Sequence, residues 1–160
     1  MLAISLQAQD ITKDLPAFDR LIASPLINVV LLQGDKESIR MEYTGVQPEK
    51  INIVSKGKTL HLYLDDAKLT TSARNGSWKK GNVFWENLYR GAKLTAYVTY
   101  RKLRRVQIRG EQQLTCRDTL RCDKFTLELM GENQAKIAGL QADELKVVLY
   151  GENKVEINGG

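Results

Sequence analysis

The C-terminal third of the chain repeats itself, and this repeat constrains the fold more than any other feature of the sequence. Three similar tetrapeptides begin at Gly110, Gly131 and Gly151, so that the glycines are 21 and then 20 residues apart. A fixed period near 20 residues is typical of solenoid proteins. We therefore expect this part of the chain to form successive turns of one repeating structure.

Apolar and polar residues alternate inside each repeat, which is the pattern of β-strands and not of helices. Each repeat would then be one coil whose strands pair in parallel with the next coil, at a spacing of about 4.8 Å. The sequence predicts an all-β parallel β-helix, or β-solenoid, with coils of about 20 residues in the C-terminal half. The aligned apolar pairs, which should all face inward, include Leu120 with Leu140, Cys122 with Ala142, Phe125 with Leu145, Leu127 with Val147, and Leu129 with Leu149.

The corner between repeats has an expected structure of its own. Glycine suits a left-handed backbone there, which other residues adopt at a cost, and the equivalent Asn133 and Asn153 predict an amide ladder. Three glutamates would also stack, and they either extend into water or hold a cation such as Ca²⁺. Because Ca²⁺ needs about six or more oxygen ligands, we predict no metal site. The only candidate ladder is Glu111, Glu132 and Glu152.

Strand patterns also dominate the N-terminal half, and no convincing amphipathic helix is present. Residues 26–32 are rich in leucine and β-branched residues, and Leu60, Leu62 and Leu64 alternate with polar residues. Residues 65–93 differ, because they hold an Asn-Gly turn signal and both tryptophans. We interpret them as a long connection, and long structured connections are often functional. The aromatic candidates for binding in this connection are Trp78, Trp85 and Tyr89.

The chain of 160 residues is long enough for one domain with one core, and it lacks the apolar stretch that a transmembrane helix needs. Residues 1–8 are apolar and small and resemble the end of a secretory signal, although a positively charged start is missing. We predict a signal-peptide remnant or disordered N-terminus over residues 1–10 and a single domain over residues 11–160. The protein would be exported to the periplasm, the cell surface or the medium, where Cys116 and Cys122 either form a disulfide or stay buried thiols.

The chain carries a formal net charge of +5 and has a pI near 9.2. This charge is too mild and too dispersed to favour nucleic acid as a partner. One basic segment lies beside the inward-facing Leu103 and Val106, and it is either a solvated face or a contact for an anionic polysaccharide or lipid headgroup. Its residues are Arg101, Lys102, Arg104 and Arg105.

Catalytic motifs are not recognisable in the sequence. Glycoside hydrolysis typically needs two carboxylates that face one groove, whereas Asp65 and Asp66 are neighbours and would point to opposite faces of a strand. The single histidine, His61, has no orienting partner close in sequence, and two thiols are too few for a zinc site. We predict a protein without cofactor or enzymatic activity, with a polysaccharide-processing enzyme similar to pectate lyases as the alternative.

Several segments carry a family pattern when they are taken together. They are Phe18–Ile22, Ile27–Leu31 and residues 58–62, followed by a Leu-x-x-Val-x-Ile-x-Gly element over Leu103–Gly110 and the glycine-led repeats. In these segments the chain resembles a bacterial family, the putative auto-transporter adhesin head GIN domain, which is a domain of unknown function common in Bacteroidetes. Many members carry a smaller corner than the Gly-Glu-Gln and Gly-Glu-Asn present here. The resemblance implies a right-handed parallel β-helix, export and an adhesin-like surface role, and it carries over no catalytic residues.

Three classes of function follow from these features. The first is an adhesin-like binding or structural module whose partner is a carbohydrate or a cell-surface protein. The aromatic side chains of the long connection would stack on sugar rings in such a module, or would instead cap the apolar end of the solenoid. The second class is the polysaccharide-processing enzyme. The third is assembly, because a last coil with unpaired backbone groups could form a homodimer through its C-terminal edge.

Overall fold

The computed structural model describes residues 8–67 and 89–159. Within these two ranges the chain is almost entirely β-structure, and its helical content is one 3₁₀ turn over Pro48–Lys50. The strands are β1 (Gln9–Asp14), β2 (Arg20–Ala23), β3 (Ile27–Gln33), β4 (Ser38–Thr44), β5 (Ile51–Lys56), β6 (Thr59–Leu64), β7 (Lys93–Tyr100), β8 (Arg105–Gly110), β9 (Gln113–Gly131), β10 (Gln134–Gly151) and β11 (Lys154–Gly159).

All of these strands belong to a single mixed sheet. Nine strands follow one path of hydrogen-bonded neighbours in the order β1, β4, β7, β3, β9, β8, β2, β6, β5, and they form an open, curled half-barrel. β10 and β11 lie off this path, with β10 paired to β9 and β11 paired to β10. The pairs β1–β4, β4–β7 and β5–β6 are antiparallel, whereas β2 pairs in parallel with both β6 and β8.

The chain is all-β, but the predicted fold class, a right-handed parallel β-helix, is wrong. In a parallel β-helix each strand pairs in parallel with the equivalent strand one coil away, and the antiparallel pairs of this sheet break that rule. The connections provide the physical reason. β5 and β6 are joined by a tight turn at Gly57, whose φ is +60°, and so short a connection allows only antiparallel pairing.

The C-terminal repeats lie beside one another in the register of their sequence alignment. Gly151 pairs with Gly131 and Val147 with Leu127 between β10 and β9, and Val155 pairs with Ala135 between β11 and β10. These parallel pairs are part of the same sheet as the antiparallel N-terminal strands. The local repeat therefore predicted which residues are neighbours, but it did not predict the architecture in which they lie.

The core is built from the alternating apolar residues of the strands. Leu21, Leu62 and Leu127 are completely buried, as the period-two pattern of their strands predicts. The aligned apolar residues over positions 145–149 of β10 lie beside their buried equivalents in β9, as the repeat predicts, but they are not buried themselves, because among the described strands β10 pairs in this region with β9 alone. Three of its apolar residues are open to solvent, namely Leu145 (47% exposed), Val147 (39%) and Leu149 (44%).

The expected corner structure is present. The glycines that open the repeats, Gly110, Gly131 and Gly151, have φ values of +129°, +115° and +96°, a region that favours glycine. The amide ladder also forms: the backbone N–H of Asn133 and its side-chain Nδ2 both donate to Asn153 Oδ1, at 2.9 and 3.0 Å. The backbone N–H groups at the corners thus find partners one coil away.

Two further features concern the N-terminus and the cysteines. β1 begins at Gln9 and pairs with β4, so the sheet includes Gln9 and Asp10, the last two residues of the segment predicted as a signal-peptide remnant or disordered N-terminus. Cys116 and Cys122 are free thiols, the first buried and the second half-buried.

Candidate functional site

A cleft of about 640 Å³ opens where the turns before β2 and β8 meet β9. Pockets that bind small molecules typically have volumes of about 300–1,000 Å³, so this cleft is large enough for a ligand. The floor of the cleft is apolar, because it is lined by the buried Phe18 and Leu103. The rim is charged and has more cations than anions. Its cations are Lys58, Arg101, Lys102, Arg104, Arg121 and Lys124, and its carboxylates are Asp19, Glu37 and Asp123.

Backbone pairing at the beginning of β2 brings these segments together. The N–H of Asp19 donates to the carbonyl of Lys58 at 3.0 Å, and the N–H of Arg104 donates to the carbonyl of Asp19 at 2.9 Å. Residues that are far apart in sequence therefore lie in one row across three adjacent strands. The cleft depends on this row, since each of the three residues lines it.

Two ion pairs hold arginines of the cleft in place. Arg101 Nε donates to Glu37 Oε1 at 2.6 Å, and Arg104 Nε lies 3.0 Å from Asp19 Oδ2. Burial acts to raise the pKa of Glu37, but the hydrogen bond and the positive charge of Arg101, together with a backbone hydrogen bond, outweigh it and lower that pKa. Glu37 is thus held as an anion, and the arginine beside it keeps part of its guanidinium in the solvent.

Two smaller grooves continue from the cleft across the outer face of the sheet. The first, of about 200 Å³, shares Arg104 and Lys124 with the cleft and adds Arg20, Arg105 and Thr126. The second, of about 250 Å³, shares Arg20 and Arg105 with the first and reaches Arg109. The three concavities thus form one continuous surface, which we call the cationic track: Arg20, Lys58, Arg101, Lys102, Arg104, Arg105, Arg109, Arg121 and Lys124.

A hydrogen-bond network orders the far end of the cationic track. Glu128 accepts from Arg105 at 2.6 Å and from Gln107 Nε2 at 2.5 Å, and Gln107 Oε1 accepts from Arg109 at 2.9 Å. Arg109 is only 4% exposed. Its burial lowers the pKa of the guanidinium, and the charge of Glu128 opposes that shift. Side chains fixed in this way lose little conformational entropy when they bind a ligand.

A second surface lies at residues 144–151 of β10 together with β11, which we call the C-terminal edge. The large apolar side chains exposed in the described residues are Val54 and four members of this edge: Leu145, Val147, Leu149 and Tyr150. Within the described residues, no strand pairs with the outer side of β10 over residues 144–151, and contiguous apolar side chains on such a sheet edge are typical of contact surfaces.

The predicted aromatic candidates are only partly accounted for. Trp78 and Trp85 lie outside the described residues. Tyr89 is half-buried and donates its hydroxyl to the backbone carbonyl of Asp65 at 2.6 Å. Its pKa is raised by burial and then by the charges of Asp65 and Asp66. The hydroxyl of Tyr89 thus links the two described ends of the long connection.

The four residues of the predicted basic segment all lie on the cationic track. Arg101, Lys102 and Arg104 line the cleft, and Arg105 lines both grooves. The sequence reasoning missed the other members of the cationic track, which are Arg20, Lys58, Arg109, Arg121 and Lys124. The only signal for them is strand pairing, because Arg20 lies beside Arg105 between β2 and β8, and Arg105 lies beside Thr126 between β8 and β9.

The described ranges contain one close pair of groups of the kind found in hydrolases. Ser24 Oγ and His61 Nε2 are 3.2 Å apart, but Ser24 is completely buried and is no accessible nucleophile. In residues 8–67 and 89–159, no three His, Cys, Asp or Glu side chains converge in a way that could hold a metal ion. We therefore do not propose a metal site at the glutamate ladder of Glu111, Glu132 and Glu152. None of the helical structure described there could cross a bilayer.

Residues 17–160 match the family model described as "putative auto-transporter adhesin, head GIN domain". No curated protein matches the chain.

Solved structures of similar fold come from Bacteroides and Parabacteroides. A putative adhesin from Bacteroides fragilis superposes with a TM-score of 0.72 at 20% identity, over 97% of this chain and 64% of that one. A putative adhesin from Parabacteroides distasonis gives a TM-score of 0.62 at 13% identity, over 96% and 66%. A protein from the same species, titled a putative lipid binding protein, gives 0.61 at 12% identity, over 95% and 66%. The chain thus spans just under two thirds of the length of these proteins.

Proposed function

Since the chain belongs to the putative auto-transporter adhesin head GIN domain family, we propose that it is an exported, non-enzymatic binding module that assembles through its C-terminal edge. The observation that carries this proposal is the exposure of apolar side chains along β10. Leu145, Val147, Leu149 and Tyr150 are each between 39 and 48% exposed, and they follow one another along a single strand. An adhesin-like module works by contact with a partner, and this edge provides the apolar surface that such a contact buries.

The occupant that fits this edge is a second copy of the chain. In a two-fold antiparallel pair centred on Val147, each Leu145 faces Leu149 of the second copy and the two Val147 side chains face each other. These three positions share one face of the strand because side chains alternate. The pair therefore extends the apolar layer across the symmetry axis.

Charges on the other face of β10 agree with the same register. Lys146 would lie opposite Val148 of the second copy, and Glu144 opposite Tyr150, so that no like charges meet. A register shifted by one residue would place Lys146 opposite itself, which is unfavourable. Glu144 is already paired with Lys124 of β9 at 2.7 Å, so it brings no unpaired charge to the contact.

The proposal is tested by measuring the molar mass of the protein with light scattering over a wide range of concentration. We expect a dimer that Val147→Lys weakens, because two ammonium groups would meet on the two-fold axis. The matched control is Val54→Lys, since Val54 is also 39% exposed but lies on β5, the last strand of the path, which does not pair with β10. A wild type that stays monomeric at millimolar concentration, or equal weakening by both substitutions, would refute assembly through the C-terminal edge.

Carbohydrate binding is a second candidate function, and the cleft with its continuous cationic track is the observation that favours it. This function uses a surface that is separate from the C-terminal edge.

A further inference from the structure

We propose that the cationic track binds a linear anionic polysaccharide, with carboxylate or sulfate groups held by arginines and lysines along the track. The proposal rests on the assignment of the protein as a binding module, but it uses a different surface from the C-terminal edge. Its first support is continuity: the cleft shares Arg104 and Lys124 with the first groove, which in turn shares Arg20 and Arg105 with the second. A ligand that extends over several residues could occupy all three concavities.

The second support is the balance of charge along the track. Among the described residues, the cleft is lined by twice as many cationic as anionic side chains, and the linings of the two grooves contain arginine and lysine without any carboxylate. The nearby Asp19 and Glu128 hold arginines in place from outside the grooves. Guanidinium groups fixed in this way suit carboxylate and sulfate, which they can bind through two parallel hydrogen bonds.

The third support is spacing. Arg20, Arg105 and Thr126 occupy the same row on three adjacent parallel strands. Adjacent strands are about 4.8 Å apart, which is close to the length of one sugar residue. A polysaccharide that crosses the strands would therefore present a new sugar at each strand.

The depth and the side chains of the lining favour a polysaccharide over other anionic ligands. An acyl chain needs a deep apolar cavity, whereas Phe18 and Leu103 are already 3 and 1% exposed and offer only a shallow floor. Single-stranded nucleic acid needs aromatic side chains for base stacking, and the described residues that line the two grooves include none. A shallow floor with charged walls suits the flat, partly apolar faces of sugar rings.

The test measures binding of polygalacturonate and of a heparin oligosaccharide to the full chain by calorimetry, with neutral dextran and single-stranded DNA as comparison ligands. The test variant Lys58→Gln/Lys102→Gln removes two exposed cations of the track. The matched control Lys50→Gln/Lys56→Gln removes the same charge from exposed positions near and on β5. Circular dichroism and the melting temperature establish that both variants are folded.

We expect the test variant to raise the dissociation constant by about tenfold or more, and to lower the slope of its logarithm against the logarithm of salt concentration by about two. The control should change neither quantity appreciably. Cys122 provides a readout within the cleft, because it lines the cleft and is a half-buried free thiol. Bound polysaccharide should slow its alkylation by a neutral maleimide, and Cys116, which is buried in the core, serves as the internal reference.

Several results would overturn the proposal. They are the absence of binding to both polyanions, equal loss of binding in the control variant, alkylation of Cys122 at an unchanged rate, and tighter binding of DNA or of neutral dextran. A negative result for polysaccharide binding can be distinguished from a negative result for self-association. The molar mass is measured without any ligand, and the track variants leave the C-terminal edge intact.

Discussion

Replacement of Asn133 by alanine should unfold the corner ladder and lower the stability of the whole domain. Asn133 is 1% exposed, and its side chain makes three hydrogen bonds. Its Oδ1 accepts from the N–H of Gln112 at 3.0 Å, and its Nδ2 donates to the carbonyl of Met130 and to Asn153 Oδ1, both at 3.0 Å. Alanine removes all three bonds and leaves the buried N–H of Gln112 without its acceptor.

The magnitude follows from these bonds. Each typically contributes about 1 kcal/mol net, so that their loss costs about 3 kcal/mol of the free energy of unfolding. For a domain of this size, 1 kcal/mol shifts the melting temperature by about 2–4 °C, which gives a decrease of about 6–12 °C. Urea denaturation should show an earlier midpoint with an unchanged slope, because the surface exposed on unfolding stays the same.

Two control variants define the result. Asn158→Ala changes an exposed asparagine on β11 and should be nearly neutral. Asn133→Asp keeps the acceptor for Gln112 but turns an oxygen toward Met130 and Asn153, so it should be at least as damaging as alanine. The reasoning is refuted if Asn133→Ala stays within about 0.5 kcal/mol of the wild type, or if Asn158→Ala costs as much.

Two further predictions concern the corner glycine and the ion pair of the cleft. Gly151→Ala should lower the free energy of unfolding by about 1–3 kcal/mol, because φ is +96° and the new methyl group would overlap the carbonyl of Gly131. Urea denaturation measures this loss. The control is the same change at the exposed Gly159, where nothing lies within 4 Å of the position of the new methyl group. Glu37→Gln should destabilise the domain by about 1 kcal/mol at neutral pH. The folded-state pKa of Glu37 is lowered, so its contribution is complete above the ordinary pKa of 4.5 and is lost as the pH falls through the lower folded value. Denaturation curves of both proteins from pH 7 to pH 3 should therefore converge, and a constant difference would contradict the assignment.

The candidate binding surface was partly predictable. The segment Arg101 to Arg105 is contiguous in sequence, and its cations stand out by composition alone. Arg20 and Lys124 are isolated in sequence and carry no local signal. They join the same surface because β2, β8 and β9 are adjacent in the sheet, and strand order depends on contacts between distant parts of the chain.

The amino-acid sequence by itself determined the strands, the corner glycines with their amide ladder, and the register in which one repeat lies beside the next. Each of these depends on residues within one or two periods, where alternation and backbone preference act directly. The tertiary structure alone decided that the strands form a mixed, curled sheet and that the last coil exposes Leu145, Val147 and Leu149. Both outcomes depend on which distant strands find each other, and a local pattern describes what a strand can bury but not which neighbour covers it.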